Sequence, residues 1–562
     1  MTTHIRGVSV DLPGDNSPEP ARGDGLRRLF AGVKSDPARW VSFVVTAVAG
    51  LVFAVWLLNL DRNQWFVSDE FTISYFSSGH EGLLVWFFRP LNEHTIVFTK
   101  AWFWLLSDFG GLGLRHYALF MIPLVGSHLV VVAAIYRLTW ISTASRVMAT
   151  GTALVSLAMG AASGTLTFAI QFSYVGSVAA GLIVILLAVE CSTRRAMAAG
   201  IALALFGTLN GTAFVAFGLA ASLVYARRRL WWAATLVGAI PVVWELASRL
   251  VWAQGNPYVA HSLGQILRDG PAFAYALLDT AFSKTLGDPH LTSAVVTAMV
   301  LGTLALMSAA PRYTRTAVSG RVAGILAVAA IITVSSLVES RISYGIILVT
   351  YGGYSYLLLA ALLPVCGILL AHLARSKSSL LGAAGVFVAL SLVGMATISS
   401  DAGALSAWRL GGERLMQTAA AELAAGMPTF SDQVPVPSTA PSVSQDQLRL
   451  LTASGQLDAT IAGPMEADQV SLNMQWRMEA GGLASGVCSE FGPGEVFSAP
   501  AESSIEVLGA GPGAGIDVRY PSSAAVRHFE VPDGLASGLQ TLSPRPAVVT
   551  VEGSSVRVCT QG

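Results

Sequence analysis

WVSFVVTAVAGLVFAVWLLNLDRNQWFVSDEF, residues 40–71, sets the frame for the whole chain. Residues 40–60 hold no charged side chain and, as a helix, are long enough to cross a hydrocarbon layer of about 30 Å. A few residues later two carboxylates, Asp69 and Glu70, stand side by side among aromatics. Working outward, the chain is 53% hydrophobic and 12% charged, where soluble domains carry ~25% charge. It reads as a polytopic α-helical membrane protein. A formal net charge of zero gives no overall field to recruit nucleic acid.

Apolar runs predict about eleven spans, at 40–60, 117–137, 146–162, 173–190, 196–209, 211–226, 231–250, 291–309, 322–338, 345–373 and 380–398. Residues 1–38 are polar and rich in Pro, Gly, Asp and Arg, the composition of a disordered tail. No removable signal peptide is expected ahead of the first span. With the N-terminus cytoplasmic, the inner turns carry Arg137, Arg146, Arg194, Arg195, Arg227, Arg228, Arg229, Arg312, Arg315, Arg321, Arg375 and Lys377 against the single acid Glu190. That bias fixes orientation. It places the long first loop, 61–116, a second loop, 251–290, and everything beyond residue 400 outside, with residues 39–400 as the membrane domain.

Past the last span, 401–441 reads as a helix, GGERLMQTAAAELAAG (411–426), followed by the Pro-rich spacer MPTFSDQVPVPSTAPS (427–442). Residues 442–562 read as an extracytoplasmic β-rich, sandwich-like domain: SLNMQWRM (471–478) alternates apolar and polar as a strand does, and AVVTVEGSSVRVCT (547–560) looks like a closing hairpin. IEVLGAGPGAGIDVRY (505–520) is glycine-rich but continues as a strand, so it reads as a hairpin loop and not a phosphate cradle. Cys488 and Cys559, in an oxidising compartment, are expected to form a disulfide.

The outer loops hold the chemistry. The first offers the acids Asp69, Glu70 and Glu93, the imidazole of His94, and the cations Arg89 and Lys100. The second adds Lys284 and His290, and the turn SSLVESRISYG adds Arg341. A carboxylate can accept the proton of a hydroxyl, and cations can stabilise a departing phosphate. The set suits transfer of a group from a lipid-linked phosphate.

A first span, an acidic pair in SDE, then RPLNEHTIVFTK resembles the GT-C superfamily of polyprenyl-phosphate-dependent glycosyltransferases of bacterial cell envelopes. Asn92, Glu93 and His94 match an Asn-Glu-His-Arg element, with Thr95 where the family has Arg. Arg341 followed by Tyr354 matches part of a second element, without its second arginine. The β domain resembles the carbohydrate-binding appendages of some envelope members, including actinobacterial arabinosyltransferases. The resemblance implies a multi-pass enzyme of the bacterial plasma membrane acting in cell-wall biogenesis. Its donor is a polyprenyl-phosphate sugar, and its acceptor an extracytoplasmic glycan or glycolipid. Asp69 is the implied general base, with Glu70 beside it. Donor-phosphate contacts are then sought among Arg89, Asn92, Glu93, His94, Lys100, Lys284, His290, Arg341 and Tyr354. Some relatives use a divalent cation, which Asp69 and Glu70 would hold, and others use none. Two other readings stand beside this one: a transporter or flippase of lipid-linked sugars, and a non-catalytic envelope protein whose β domain binds glycan.

Overall fold

The computed structural model describes residues 37–560, apart from 63, 74–81, 92–93, 113–115, 192, 253–261, 287–288, 309–314, 346–351, 375, 481–486, 510 and 533–535. Most of residues 1–38, and with them the expected disordered tail, lie outside this set.

Eight helices are long and apolar enough to cross a membrane: Trp40–Asp61, Tyr117–Thr143, Arg146–Leu166, Ala169–Glu190, Trp231–Trp252, Val318–Arg341, Gly352–Leu373 and Lys377–Ala424. The chain is a multi-pass membrane protein. The first helix turns Val41, Val45, Val48 and Val52 outward and Phe53 and Leu57 inward. That suits a helix with lipid on one side and protein on the other, its backbone groups satisfied internally.

Two of the eleven expected spans, 196–209 and 211–226, coincide with shorter helices. The helix Phe214–Arg227 has 14 residues, about 21 Å at 1.5 Å per residue. Its neighbour Arg194–Asn210 has 17. Both pack on the helix Phe172–Glu190, and their junction is pinned to it: Asn210 Nδ2 donates to Phe172 O at 2.9 Å, and Ser177 Oγ donates to Gly207 O at 2.9 Å. The helix over the expected span 291–309, Pro289–Ser308, has 20 residues.

The expected break at residue 400 is absent. Lys377–Ala424 is a single helix of 48 residues, about 72 Å long, started by a capping box at Ser376. The predicted span and the predicted tail helix are two parts of it. Where it crosses the helix Arg146–Leu157 the backbones meet at Gly394, and a Cβ there would collide with the Ala158 carbonyl. Gly403, farther along, has nothing within 4 Å of such a Cβ. Gly394→Ala is therefore expected to lower the thermal stability of the purified protein by about 1–3 kcal/mol through overpacking. Gly403→Ala is expected to raise it slightly, because Ala costs less helix entropy than Gly. Thermal unfolding followed by tryptophan fluorescence separates the two signs.

The segment after this helix is docked, not a free spacer. Val436, Ala440 and Val443 are buried against the helical core. The stretch read as a strand, 471–478, is mostly helix, Pro464–Gln475, and only then strand. Its alternation is real, but the polar positions do not face water. Ser471 bonds Tyr520 at 2.7 Å, Asn473 Nδ2 donates to Pro435 O at 3.0 Å, and Gln475 Nε2 donates to Pro428 O at 3.2 Å. Over 470–475 every residue of this helix is buried, so no solvent face reveals its period. The β domain consequently starts at Trp476, behind the helices Gln445–Ala453 and Pro464–Gln475, and not at 442.

Nine strands make two antiparallel sheets: β1 (Trp476–Ala480), β2 (Val487–Phe491), β3 (Val496–Ala499), β4 (Ser504–Gly509), β5 (Gly515–Arg519), β6 (Arg527–Glu530), β7 (Ala536–Thr541), β8 (Ala547–Glu552) and β9 (Val556–Thr560). One sheet has the order β1-β7-β4-β9-β2, the other β3-β8-β5-β6. Trp476, Val507, Ile516, Val518, Val549 and Val558 fill one core between them, the arrangement of a sandwich. Both hairpins read from the sequence are arches instead. β4 and β5, and likewise β8 and β9, lie in opposite sheets. A glycine-rich connection of this length can cross a sandwich as readily as close a hairpin. Cys488 on β2 faces Cys559 on β9, and the two are joined by a disulfide.

Candidate functional site

The loop after the first span folds back onto the ends of the helices. Val67 and Phe66 are buried, and Phe66 packs edge-on against Tyr117 and Phe120. This leads into a single helical turn, Asp69–Thr72, whose N-cap Ser68 takes a left-handed φ of 48°. Adjacent residues on a helical turn diverge by about 100°, so the two acids face different surroundings.

Glu70 points inward and is fully buried. It accepts from Tyr117 Oη at 2.6 Å and from Val67 N at 3.2 Å. Burial pushes its carboxyl up to about 7, while the Arg409 guanidinium and these bonds pull it back down. Asp69 is half-buried and within electrostatic reach of His94. Burial raises its carboxyl above the usual range, and His94 opposes that shift.

Leu91 and His94 exchange both backbone hydrogen bonds. His94 stands in a pocket lined also by Tyr174, Thr212, Ser336, Arg341 and Tyr354. Thr212 Oγ1 lies 2.9 Å from His94 Nδ1, Tyr174 Oη 3.1 Å from Nε2, and Arg341 Nη2 3.3 Å from Nε2. A guanidinium only donates, so Nε2 is the accepting nitrogen and the network assigns the proton to Nδ1. Desolvation agrees: it lowers His94 to about 4, keeping the ring neutral at physiological pH. Arg341 Nε donates to Tyr354 Oη at 2.9 Å. Thus His94, Arg341 and Tyr354 meet in one pocket, and Arg341 arrives 247 residues along the chain from His94.

Other sequence candidates sit elsewhere. Lys100 is buried and donates to Trp86 O at 2.7 Å and Arg89 O at 2.6 Å, closing the end of the helix Leu83–Phe88. Arg89 is exposed. Neither lines the pocket. Asn92 and Glu93 lie outside the described residues, as do the side chains of Lys284 and His290. Among the described residues no three His, Cys, Asp or Glu side chains gather to hold a metal. Glu70's oxygens accept from Tyr117 and Val67.

The sequence reading missed Tyr174, Thr212, Tyr117, Asp61 and Arg409. Arg409 is nearly fully buried, stacking over the Tyr117 and Phe168 rings at 4.9 and 5.2 Å. The available signal was a lone arginine in the otherwise uncharged stretch GALSAWRLGG, where a charge is retained only if it has a task.

Fold and site define a multi-pass membrane protein that carries a β-sandwich and a polar pocket among its helix ends. Two solved structures resemble it in path. One is the crystal structure of ArnT from Cupriavidus metallidurans bound to undecaprenyl phosphate, at 15% identity over 78% of this chain and 92% of that one, with a TM-score of 0.42. The other is the cryo-EM structure of the arabinosyltransferase EmbB from Mycobacterium smegmatis, at 12% identity over 92% of this chain and 64% of that one, with a TM-score of 0.36. No family model and no curated protein matches.

Proposed function

We propose that the protein is a membrane glycosyltransferase that moves a sugar from a polyprenyl phosphate to a hydroxyl of an envelope glycan or glycolipid on the extracytoplasmic side. One observation carries this reading: a buried guanidinium, Arg341, shares a pocket with a neutral imidazole, His94, and a carboxylate of raised basicity, Asp69, stands within electrostatic reach. A planar guanidinium fork matches phosphate oxygens. Beside the pocket, Trp244 donates to Thr95 Oγ1 at 3.0 Å. Trp244 also forms one wall of an apolar groove with Leu205, Ile240 and Val243. An isoprenoid chain suits the groove, with its phosphate toward Arg341. The basic inner turns support the orientation.

In the reaction, Asp69 takes the proton of the acceptor hydroxyl as its oxygen bonds to the anomeric carbon. The bond from that carbon to the phosphate oxygen breaks, and its electron pair leaves on the phosphate. A single displacement inverts the anomeric centre. His94, holding its proton on Nδ1, orients Arg341 and Tyr174, and no step is routed through a cation. The test offers the purified full-length protein a panel of polyprenyl-phosphate sugars with envelope glycan acceptors, and follows release of polyprenyl phosphate and growth of the acceptor. Donor flux across sealed vesicles without a new glycosidic bond would instead show a transporter.

A further inference from the structure

The turn bearing Asp69 is gripped from the far end of the chain. Ser68 N, at its N-cap, donates to Thr439 O at 2.6 Å. Thr439 in turn lies against the extended last helix: a Cβ at Gly412 would stand 2.5 Å from Thr439 Oγ1 and 2.8 Å from its Cβ. Three residues before Gly412, Arg409 stacks on Tyr117, whose hydroxyl donates to Glu70 and accepts from Ala169 N at 2.9 Å. Arg409 Nη1 also donates to Gln64 Oε1 at 3.4 Å, and Gln64 Nε2 to Ala402 O at 3.3 Å. Asp61 completes the cluster, fully buried, with neither carboxylate oxygen hydrogen-bonded. A left-handed φ at a non-glycine residue persists only when its surroundings over-determine it. Here they do: Phe66 packs on Tyr117 and Phe120, Glu70 takes Tyr117 Oη and Val67 N, and from beyond residue 400 come the Thr439 strap and Arg409.

We propose that Arg409 is a positioning residue for the reaction: from the extension of the last membrane helix it holds Tyr117 and Glu70 and, with the strap at Thr439, fixes the turn that aims Asp69. The tail is thereby a structural part of the site and not only an appendage that binds polymer. The proposal rests on Asp69 being the base. Arg409 touches no reacting atom; it acts through Tyr117 and Glu70. The charged and titratable groups facing Glu70 are Arg409, Tyr117 and Asp61, with backbone donors at Val67 and Ile170. Removing the cation makes Glu70 harder to ionise, and an ionised Glu70 is the better acceptor for Val67 N and Tyr117.

The test compares wild type, Arg409→Met, Arg409→Lys and Gly412→Ala as full-length protein. Arg409→Met is expected to lower kcat by about 10–10²-fold with the donor KM nearly unchanged, and to move the acidic limb of the kcat profile to higher pH. Arg409→Lys restores most of the rate. Gly412→Ala, which pushes Thr439 away while leaving Arg409 in place, lowers kcat without moving that limb. Wild-type kcat and pH profile in Arg409→Met overturn the proposal, as does a loss that lysine does not rescue. A readout independent of turnover separates this from failure of the enzymatic reading. In an Asp69→Cys background, alkylation at position 69 is followed by peptide mass spectrometry. A changed rate and pH dependence on adding Arg409→Met, or a changed rate on adding Gly412→Ala, supports positioning even where no donor is turned over. An unchanged profile in both refutes it.

Discussion

Asp69→Asn is expected to reduce sugar transfer by roughly 10²–10⁴-fold, the usual contribution of a positioned general base. The amide keeps the shape of the carboxyl but cannot accept the acceptor's proton. Binding of the polyprenyl-phosphate donor is expected to persist, because Arg341 and His94 are untouched, and the loss should fall on kcat. The pH profile carries a second mark of the same group. Burial raises Asp69 above the ordinary carboxylate range, and a base works only when ionised. Wild-type activity should therefore fail as pH drops through a midpoint above that of a free aspartate, about 3.9. Steady-state rates across pH check both statements; full activity in Asp69→Asn removes the proposed base.

The second large effect is expected at Arg341. Arg341→Met removes the fork proposed to meet the donor phosphate, and a loss of ~10²–10³ in kcat/KM is expected, the scale of removing one preorganised donor to developing charge. Arg341→Lys keeps the charge but not the planar pair of donors and should recover only part of it. Tyr354→Phe serves as a control. It deletes the hydroxyl that receives Arg341 Nε at 2.9 Å, leaves the guanidinium in place, and should cost about tenfold or less, the scale of one modest hydrogen bond. Donor binding to the inactive Asp69→Asn protein separates loss of affinity from loss of chemistry. Equal binding by Asp69→Asn with and without Arg341→Met would show that Arg341 does not hold the donor.

The outcome at particular residues shows what kind of information each stretch carries. The spans were legible because the penalty for a charge in hydrocarbon is written residue by residue. The two helices meeting at Gly211 are apolar enough to be read as spans, but at 17 and 14 residues they are short for a full crossing. The strand reading of 471–478 failed where a helix is enclosed on every side and its polar positions bond inward to Tyr520, Pro435 and Pro428. Lys100 looked like a phosphate ligand in the sequence and proved to be a clamp on two backbone carbonyls. Composition around a residue does not say where its long side chain ends.

The sequence by itself determined that the chain crosses a membrane many times, that a carboxylate pair follows the first crossing, and that a β-rich portion lies at the C-terminal end. Each follows from local rules of hydropathy and alternation. Only the tertiary structure decided that His94 meets Arg341 across 247 residues, that Glu70 turns away to Tyr117, and that Thr439 holds Ser68. Those pairings depend on which helix ends pack together, a property of the closed bundle that no window of sequence contains.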